Sequence, residues 1–206
     1  MRKLVLFFMA LCMGVCSVMA QQDKPSEKVA KKAQKEAQKE AKQVAKKAEN
    51  EARIKDALTT SPGVFKEALQ ALIARQFVLE ADRVEFKRGR FKNVSSSTNF
   101  VLMEGDKASI QLAFNGILAG PNGVGGVTVD GSAFKVELNV DKKGNVSYEM
   151  SVQGFGVSAK LYIRMSKESN HCTATLSPNF NSNRISFTGL LLLPLNKSTV
   201  FKGRAL

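Results

Sequence analysis

Hydrophobic and polar residues follow two different periods along this chain. Between residues 23 and 75 the apolar residues recur three or four positions apart, as they do on one face of an α-helix. From residue 77 onward they alternate with polar residues, as they do on one face of a β-strand. The pattern therefore predicts helices followed by a β-rich domain.

The first helical segment is unusual because its apolar stripe consists almost entirely of alanine. The stripe comprises Ala30, Ala33, Ala37, Ala41, Ala45, Ala48 and Ala52. The tetrapeptide Ala-Gln-Lys-Glu occurs twice in tandem, at residues 33–36 and 37–40. We expect a helix over residues 26–58, roughly 50 Å long at about 1.5 Å per residue. Because alanine buries little apolar area, this helix is not expected to anchor a globular core.

Three interpretations of this helix are open from the sequence. It is a solvated spacer, a basic arm that touches an anionic envelope polymer, or an alanine-faced helix that pairs with another helix. Like charges stand four residues apart in the pairs Lys35–Lys39 and Lys42–Lys46, which disfavours an isolated helix. Opposite charges stand four residues apart in Glu27–Lys31, Glu49–Arg53 and Glu51–Lys55, which favours it.

A second, shorter helix is predicted over residues 61–75. Val64, Phe65, Leu69, Leu72 and Ile73 recur there at helical spacing. Since most of these side chains are much larger than alanine, this helix has an apolar face that we expect to pack on the β-rich domain.

Two hairpins are well indicated in the β-rich domain. Alternating segments at residues 134–140 and 146–153 flank the turn sequence Asp-Lys-Lys-Gly-Asn. A second alternating segment at residues 157–165 resumes at 172–176 after a polar turn. Further strand candidates are residues 77–82, 99–103, 109–114, 184–193 and 199–201. We therefore expect a mainly β fold, an antiparallel barrel or sandwich of about eight strands, preceded by the long basic helix and the short amphipathic helix.

The first 20 residues have the pattern of a secretory signal peptide. Arg2 and Lys3 precede a long apolar run, which ends in small residues before a cleavage site after Ala20. The alternative is a lipoprotein signal in which Cys16 is acylated. The expected organisation is a signal peptide over residues 1–20, a basic helical stalk or linker over 21–60 and a β-rich domain over 61–206. We expect export to the periplasm or the cell surface.

The charge balance favours an anionic partner. The chain has 31 Lys+Arg and 18 Asp+Glu, a net charge of +13, and removal of two basic residues with the signal peptide leaves +11. We expect an anionic envelope component bound through the basic helix, rather than a specific nucleic acid.

A single histidine, His171, excludes multi-histidine metal sites, and Cys172 has no disulfide partner once the signal is cleaved. No cofactor, metal or transmembrane segment of the cleaved chain is expected, and the oligomeric state is open.

A glycine-rich segment at residues 115–131 is the most distinctive local feature. It lacks the Lys-Ser/Thr of a Walker loop, and a strand-like Val-Thr-Val follows the glycines where a dinucleotide fold needs a helix. One interpretation is a tight connection that needs glycine for positive φ or close backbone approach. The other is a loop whose backbone amides bind a ligand. The candidate ligand-binding residues are Asn115, Gly120, Pro121, Asn122, Gly123, Gly125, Gly126, Thr128 and Asp130.

A basic cluster with interleaved aromatic residues lies at residues 86–92. Its candidate anion-contacting residues are Lys87, Arg88, Arg90 and Lys92. The alternative is a solvated turn between two strands, with Phe86 and Phe91 in the core.

Two sets of side chains are candidates for catalysis. His171 and Cys172 are neighbours on a strand, so their side chains point to opposite faces, with the thiol in the core and the imidazole exposed. The carboxylates Glu80, Asp82 and Asp130 lie on strands with no obvious convergence. No catalytic residue is therefore predicted.

Several segments of the β-rich domain resemble a known family. They are residues 77–83, 99–101, 178–180 and 200–204, together with the Gly-Pro-Asn-Gly segment that opens residues 120–131. These segments resemble the family called domain of unknown function 4251, over most of residues 65–206. The resemblance implies an exported protein of Gram-negative gut anaerobes, with a charged helical leader before a β-rich domain, and it implies no activity.

These observations give two functional hypotheses. The first is an exported, non-enzymatic binding or structural protein of the cell envelope with an unknown ligand. The alternative is a lipocalin-like carrier of a small apolar or lipidic ligand, because 13 phenylalanines would suit an apolar cavity as well as an ordinary core.

Overall fold

A computed structural model describes residues 24–86, 89–113, 126–155, 157–178 and 185–202. The chain forms two compact units, Met1–Ala48 and Glu49–Leu206. The described residues contain two α-helices, α1 at Lys24–Thr60 and α2 at Gly63–Ala74. Both predicted helices are therefore confirmed, and α1 is slightly longer than expected.

The two parts of α1 have different surroundings. Side chains from residue 31 to residue 49 are exposed, including Val44. From Glu49 the helix belongs to the second unit, where Ala57 is buried and Ile54 and Leu58 pack against the core. The last three turns of α1 therefore contact the core, and they do so through Ile54, Ala57 and Leu58 rather than through the alanine stripe.

An asparagine fixes this last part of α1 to the sheet. The Asn50 side-chain amide donates to the Leu138 carbonyl at 2.8 Å, and its carbonyl oxygen accepts from the Val140 backbone N–H at 2.8 Å. The side chain thus pairs with the backbone in the way that a neighbouring strand would.

The β-rich part is one antiparallel sheet. Its described strands are β1 Gln76–Glu80, β2 Arg83–Phe86, β3 Phe91–Asn93, β4 Phe100–Glu104, β5 Lys107–Ala113, β6 Gly126–Val140, β7 Val146–Gly154, β8 Val157–Met165, β9 His171–Pro178 and β10 Ile185–Pro194. The order is β1-β4-β5-β6-β7-β8-β9-β10-β2-β3. Both predicted hairpins are present, as β6–β7 and β8–β9.

The sheet closes on itself through β10. The second half of β10 pairs with β1, from Phe77 opposite Pro194 to Glu80 opposite Leu191, while its first half pairs with β2. Eight strands therefore form a ring, and β2–β3 extend it from β10. The predicted mainly β, antiparallel fold is confirmed, and the closure corresponds to the barrel alternative rather than the sandwich.

One apolar cluster joins α2 to the strands of the ring. Phe65, Leu69 and Leu72 of α2 are buried in it, whereas Val64 and Ile73, which have the same helical spacing, are largely exposed. The alternating residues of β7, β8 and β9 supply much of the rest. Among them are Tyr148, Met150, Leu161, Ile163, Cys172 and Ala174.

Candidate functional site

A row of buried polar side chains lies on β5 and β6, on the face opposite this cluster, together with Asn99 just before β4. Among the described residues, four polar side chains are buried: Asn99, Ser109, Gln111 and Thr128. Gln111 is directly opposite Thr128 in the β5–β6 ladder, and Ser109 is opposite Asp130. The strands therefore place the predicted Thr128 and Asp130 beside two polar residues of β5.

The two amide side chains of this row are satisfied by internal hydrogen bonds. The Thr128 hydroxyl donates to Gln111 Oε1 at 2.9 Å, and Gln111 Nε2 donates to the carbonyls of Thr98 at 3.0 Å and Phe201 at 2.8 Å. Asn99 Oδ1 accepts from the Ala113 backbone N–H at 2.9 Å. Since an unpaired buried amide is costly, these bonds fix the segments that they join.

Residues 198–202, here called the C-terminal clasp, run along this row. The Phe201 backbone donates to the Ser97 carbonyl at 2.8 Å, and its own carbonyl accepts from Gln111. At the start of the clasp the Ser198 hydroxyl donates to Glu80 at 2.7 Å. The short strand predicted at residues 199–201 is therefore wrong, because this segment pairs with the Ser97 carbonyl and the Gln111 side chain and not with a strand of the sheet.

The clasp ends in an ion pair with Asp130. Lys202 Nζ lies 2.8 Å from Asp130 Oδ2, and the Ser109 hydroxyl donates to the other carboxylate oxygen. Partial burial by itself raises the pKa of Asp130, but the hydrogen bonds from Lys202 and Ser109 outweigh it and hold the pKa below the ordinary 3.8. Asp130 is therefore a charged anchor for the clasp.

The glycine-rich segment is only partly described. Asn115, Gly120, Pro121, Asn122, Gly123 and Gly125 lie outside the described residues, and Gly126 begins β6. Gly131 at its end stands opposite Gly154, and a Cβ on Gly131 would lie 2.5 Å from the Gln153 carbonyl oxygen. Close backbone approach is therefore the reason for glycine at this position.

Only part of the basic cluster at residues 86–92 lies within the described residues. Lys87 and Arg88 lie outside the described residues, and Arg90 and Lys92 are exposed. The predicted core position of Phe91 is wrong: its ring is 60% exposed, and the Arg83 guanidinium stacks 4.6 Å from the ring centre.

The candidate catalytic side chains have different surroundings. Cys172 is buried and His171 is exposed, as the strand phase predicts, and burial raises the pKa of the thiol. Glu80 and Asp130 contact opposite ends of the clasp, and Asp82 is exposed. In the described part of the chain, no three His, Cys, Asp or Glu residues lie together in a way that could hold a metal ion.

The first part of α1, residues 24–48, is a second candidate surface and is here called the arm. It contains nine lysines and three glutamates, a net charge of +6. Neither described helix is both long and apolar enough to span a membrane.

The sequence did not identify Asn99, Ser109, Gln111 or Lys202 as part of a site. On β5 the polar residues alternate with apolar ones, which is also the pattern of a solvent-facing strand. The one available signal is chemical: uncharged amide and hydroxyl side chains occupy positions where an exposed strand more often has Lys or Glu.

Comparison with known proteins gives a family and a solved structure. The model of the domain of unknown function DUF4251 matches residues 62–191. A crystal structure of a DUF4251 family protein from Bacteroides eggerthii DSM 20697 is 46% identical, with a TM-score of 0.57, and the match covers 68% of this chain and 93% of that one. No curated protein matches.

Proposed function

This chain belongs to the DUF4251 family, a domain of unknown function, and from that premise we propose that it is an exported, non-enzymatic binding or structural protein of the cell envelope. The observation that carries the proposal is the arm, which concentrates a net charge of +6 in 25 residues. Its side chains are exposed from residue 31 onward. Such a surface attracts polyanions and anionic surfaces, which are abundant in an envelope.

The second unit, residues 49–206, is here called the compact unit. Its chemistry supports binding over catalysis. Glu80 and Asp130 both serve to hold the clasp. Cys172, the one thiol left after signal cleavage, is buried with a raised pKa, which keeps it in its unreactive protonated form.

Packing inside the ring supports a binding or structural role over a lipocalin-like carrier. Tyr148, Phe65, Phe77 and Met150 are fully buried, and the rings of Phe77 and Tyr148 meet edge to face at 5.5 Å. Phenylalanine is therefore used here to fill space. Native mass spectrometry of gently purified protein tests this: a retained lipid would favour the carrier.

Export is tested by the mass of the protein recovered from cells. Cleavage after Ala20 gives a chain that begins at Gln21. An acylated chain that begins at Cys16 would instead identify a lipoprotein, and a full-length chain in the cytoplasm would contradict export.

The arm is tested by fractionation of envelopes at increasing salt. We expect the wild-type protein to sediment with the envelope at low salt and to be released as screening increases. A variant with Lys35, Lys39, Lys42 and Lys46 changed to Gln should be released at lower salt. The matched control changes four exposed lysines of the compact unit, Lys66, Lys107, Lys142 and Lys160, to Gln. Equal release of both variants would contradict a role for the arm.

A further inference from the structure

The lysines of the arm are arranged in a line. Along α1, Lys31, Lys35, Lys39, Lys42 and Lys46 are spaced by four, four, three and four residues, and all five are exposed. At about 100° per residue, these positions fall within an arc of about 80° on the helix surface. They extend about 22 Å along the axis, with one amine per turn, or about every 5.6 Å. We call these five residues the lysine stripe.

The opposite side of the arm has no residue that would insert into a membrane. It is formed by the alanine stripe, and the larger apolar residue Val44 is 67% exposed. Interfacial helices that bind bilayers present Trp, Phe or Leu on their apolar face. Glu36 and Glu40 lie between the lysine and alanine stripes. The lysine stripe and the adjacent Lys32 together occupy an arc of about 100°, and Lys47 lies outside it, beside the glutamates. A narrow line of charge matches a linear polyanion better than a flat bilayer.

We propose that the lysine stripe binds a linear acidic polysaccharide, whose successive carboxylates lie along the helix axis. The partner is a polysaccharide because the inference rests on the proposed function, in which the arm acts outside the cytoplasm. The carboxylates of such a chain follow one another along a single axis, as the amines of the lysine stripe do. Several ion pairs can therefore form along the same line.

Binding would also stabilise the arm itself. Lys31–Lys35, Lys35–Lys39 and Lys42–Lys46 are like-charged pairs four residues apart, and each disfavours the helix. A polyanion placed along the stripe removes this repulsion. Helix content should therefore rise when the ligand binds, which gives a readout independent of affinity.

The test uses the full chain without its signal peptide and three probes. The probes are polygalacturonate, which is linear with one carboxylate per sugar, neutral dextran, and vesicles of phosphatidylglycerol and phosphatidylcholine. Calorimetry gives the affinity and its salt dependence, and far-ultraviolet circular dichroism gives the helix content. We expect tight, salt-sensitive binding to polygalacturonate, with increased helix content, and no binding to dextran. Tighter binding to the vesicles than to polygalacturonate would overturn the proposal.

The chain offers a variant that keeps composition and net charge but destroys the line. It exchanges neighbouring residues in three places: Gln34→Lys with Lys35→Gln, Gln38→Lys with Lys39→Gln, and Lys42→Gln with Gln43→Lys. The five lysines then spread over about 180° of the helix surface instead of about 80°. Lys and Gln have similar helix propensities, so the helix itself is retained. We expect polygalacturonate affinity to fall at least about tenfold, since several ion pairs are lost together.

Two variants separate the two proposals. One is the exchange variant, and the other, here called the four-glutamine variant, has Lys35, Lys39, Lys42 and Lys46 changed to Gln. If the exchange variant binds polygalacturonate as tightly as wild type while the four-glutamine variant does not, the lysine stripe is overturned and the anion-binding arm survives. If both bind like wild type, both proposals fail.

Discussion

The arm and the compact unit carry the same net charge in very different ways. The arm has nine lysines and three glutamates in 25 residues, whereas residues 49–206 have twenty Lys or Arg and fourteen Asp or Glu in 158 residues, which again gives +6. In the compact unit, charges from distant segments meet, as in Lys197–Glu67 at 2.6 Å and Lys202–Asp130 at 2.8 Å. In the arm, by contrast, the place of each charge is set by the position of its residue along a single helix.

This difference indicates where stability and binding reside. The compact unit depends on contacts between residues far apart in sequence, so single substitutions there should affect folding. The exposed arm contributes little burial, so substitutions there should affect binding to anions and leave unfolding unchanged. Four substitutions test this division, from the largest expected effect to the smallest.

Removal of a core aromatic ring should have the largest effect. Phe77 is fully buried and contacts Tyr148, so Phe77→Ala should lower the free energy of unfolding by about 3–5 kcal/mol. Val44→Ala, on the exposed arm, is the control and should change it by less than about 0.5 kcal/mol. Urea denaturation measures both. Equal losses of unfolding free energy in the two variants would mean that Val44 of the arm is also packed.

A methyl group between β6 and β7 should have the next largest effect. Gly131→Ala places a Cβ against the Gln153 carbonyl and should cost about 1–3 kcal/mol, because the strands must separate. Gly63→Ala is the control, since a Cβ there meets nothing within 4 Å. If thermal unfolding shows the two variants to be equally stable, close approach is not the reason for Gly131.

Loss of the Asn50 amide tests where the compact unit begins along α1. Asn50→Ala removes two hydrogen bonds to β6 and leaves the Leu138 carbonyl and the Val140 N–H short of a partner. We expect a loss of about 1–2 kcal/mol by chemical denaturation. Gln38→Ala, on the exposed arm, should have no effect. If Asn50→Ala leaves the free energy of unfolding unchanged, the compact unit begins later along α1, closer to Thr60.

The ion pair of the clasp should have the smallest effect. Because the pKa of Asp130 is lower in the folded chain, its contribution is complete above the ordinary value of 3.8 and is lost as pH falls through the lowered value. Lys202→Met should raise the pKa of Asp130 in a carboxyl NMR titration and cost less than about 1 kcal/mol at neutral pH, since both side chains are partly exposed.

Lys160→Met removes an exposed lysine of β8 and is the control for the clasp. An Asp130 pKa that does not respond to Lys202→Met would show that the Ser109 hydroxyl alone stabilises the carboxylate.

Local patterns made much of the fold predictable. The alanine spacing gave α1, the spacing of Phe65, Leu69 and Leu72 gave α2, and strict alternation gave the β6–β7 and β8–β9 hairpins. Alternation also placed Cys172 inside and His171 outside. In each case the signal lies within a few residues, because side-chain direction repeats with the period of the element.

The candidate site was much less predictable. Thr128 and Asp130 were selected from the glycine-rich segment, but their partners Gln111, Ser109 and Lys202 come from other parts of the chain. The pattern on β5 is the same whether its polar face meets water or the clasp. Exposure of Phe91 was missed for a similar reason, since an aromatic residue on a strand is usually buried.

The sequence by itself determined both helices, the two β-hairpins, the charge of the arm and the line of lysines along it, because each follows from residues close together in the chain. Only the tertiary structure decided that β10 closes the ring against β1, that the last turns of α1 join the core and that the clasp buries the polar row. These features depend on contacts between residues as far apart as Gln111 and Phe201, and no local period encodes which distant segment covers a given face.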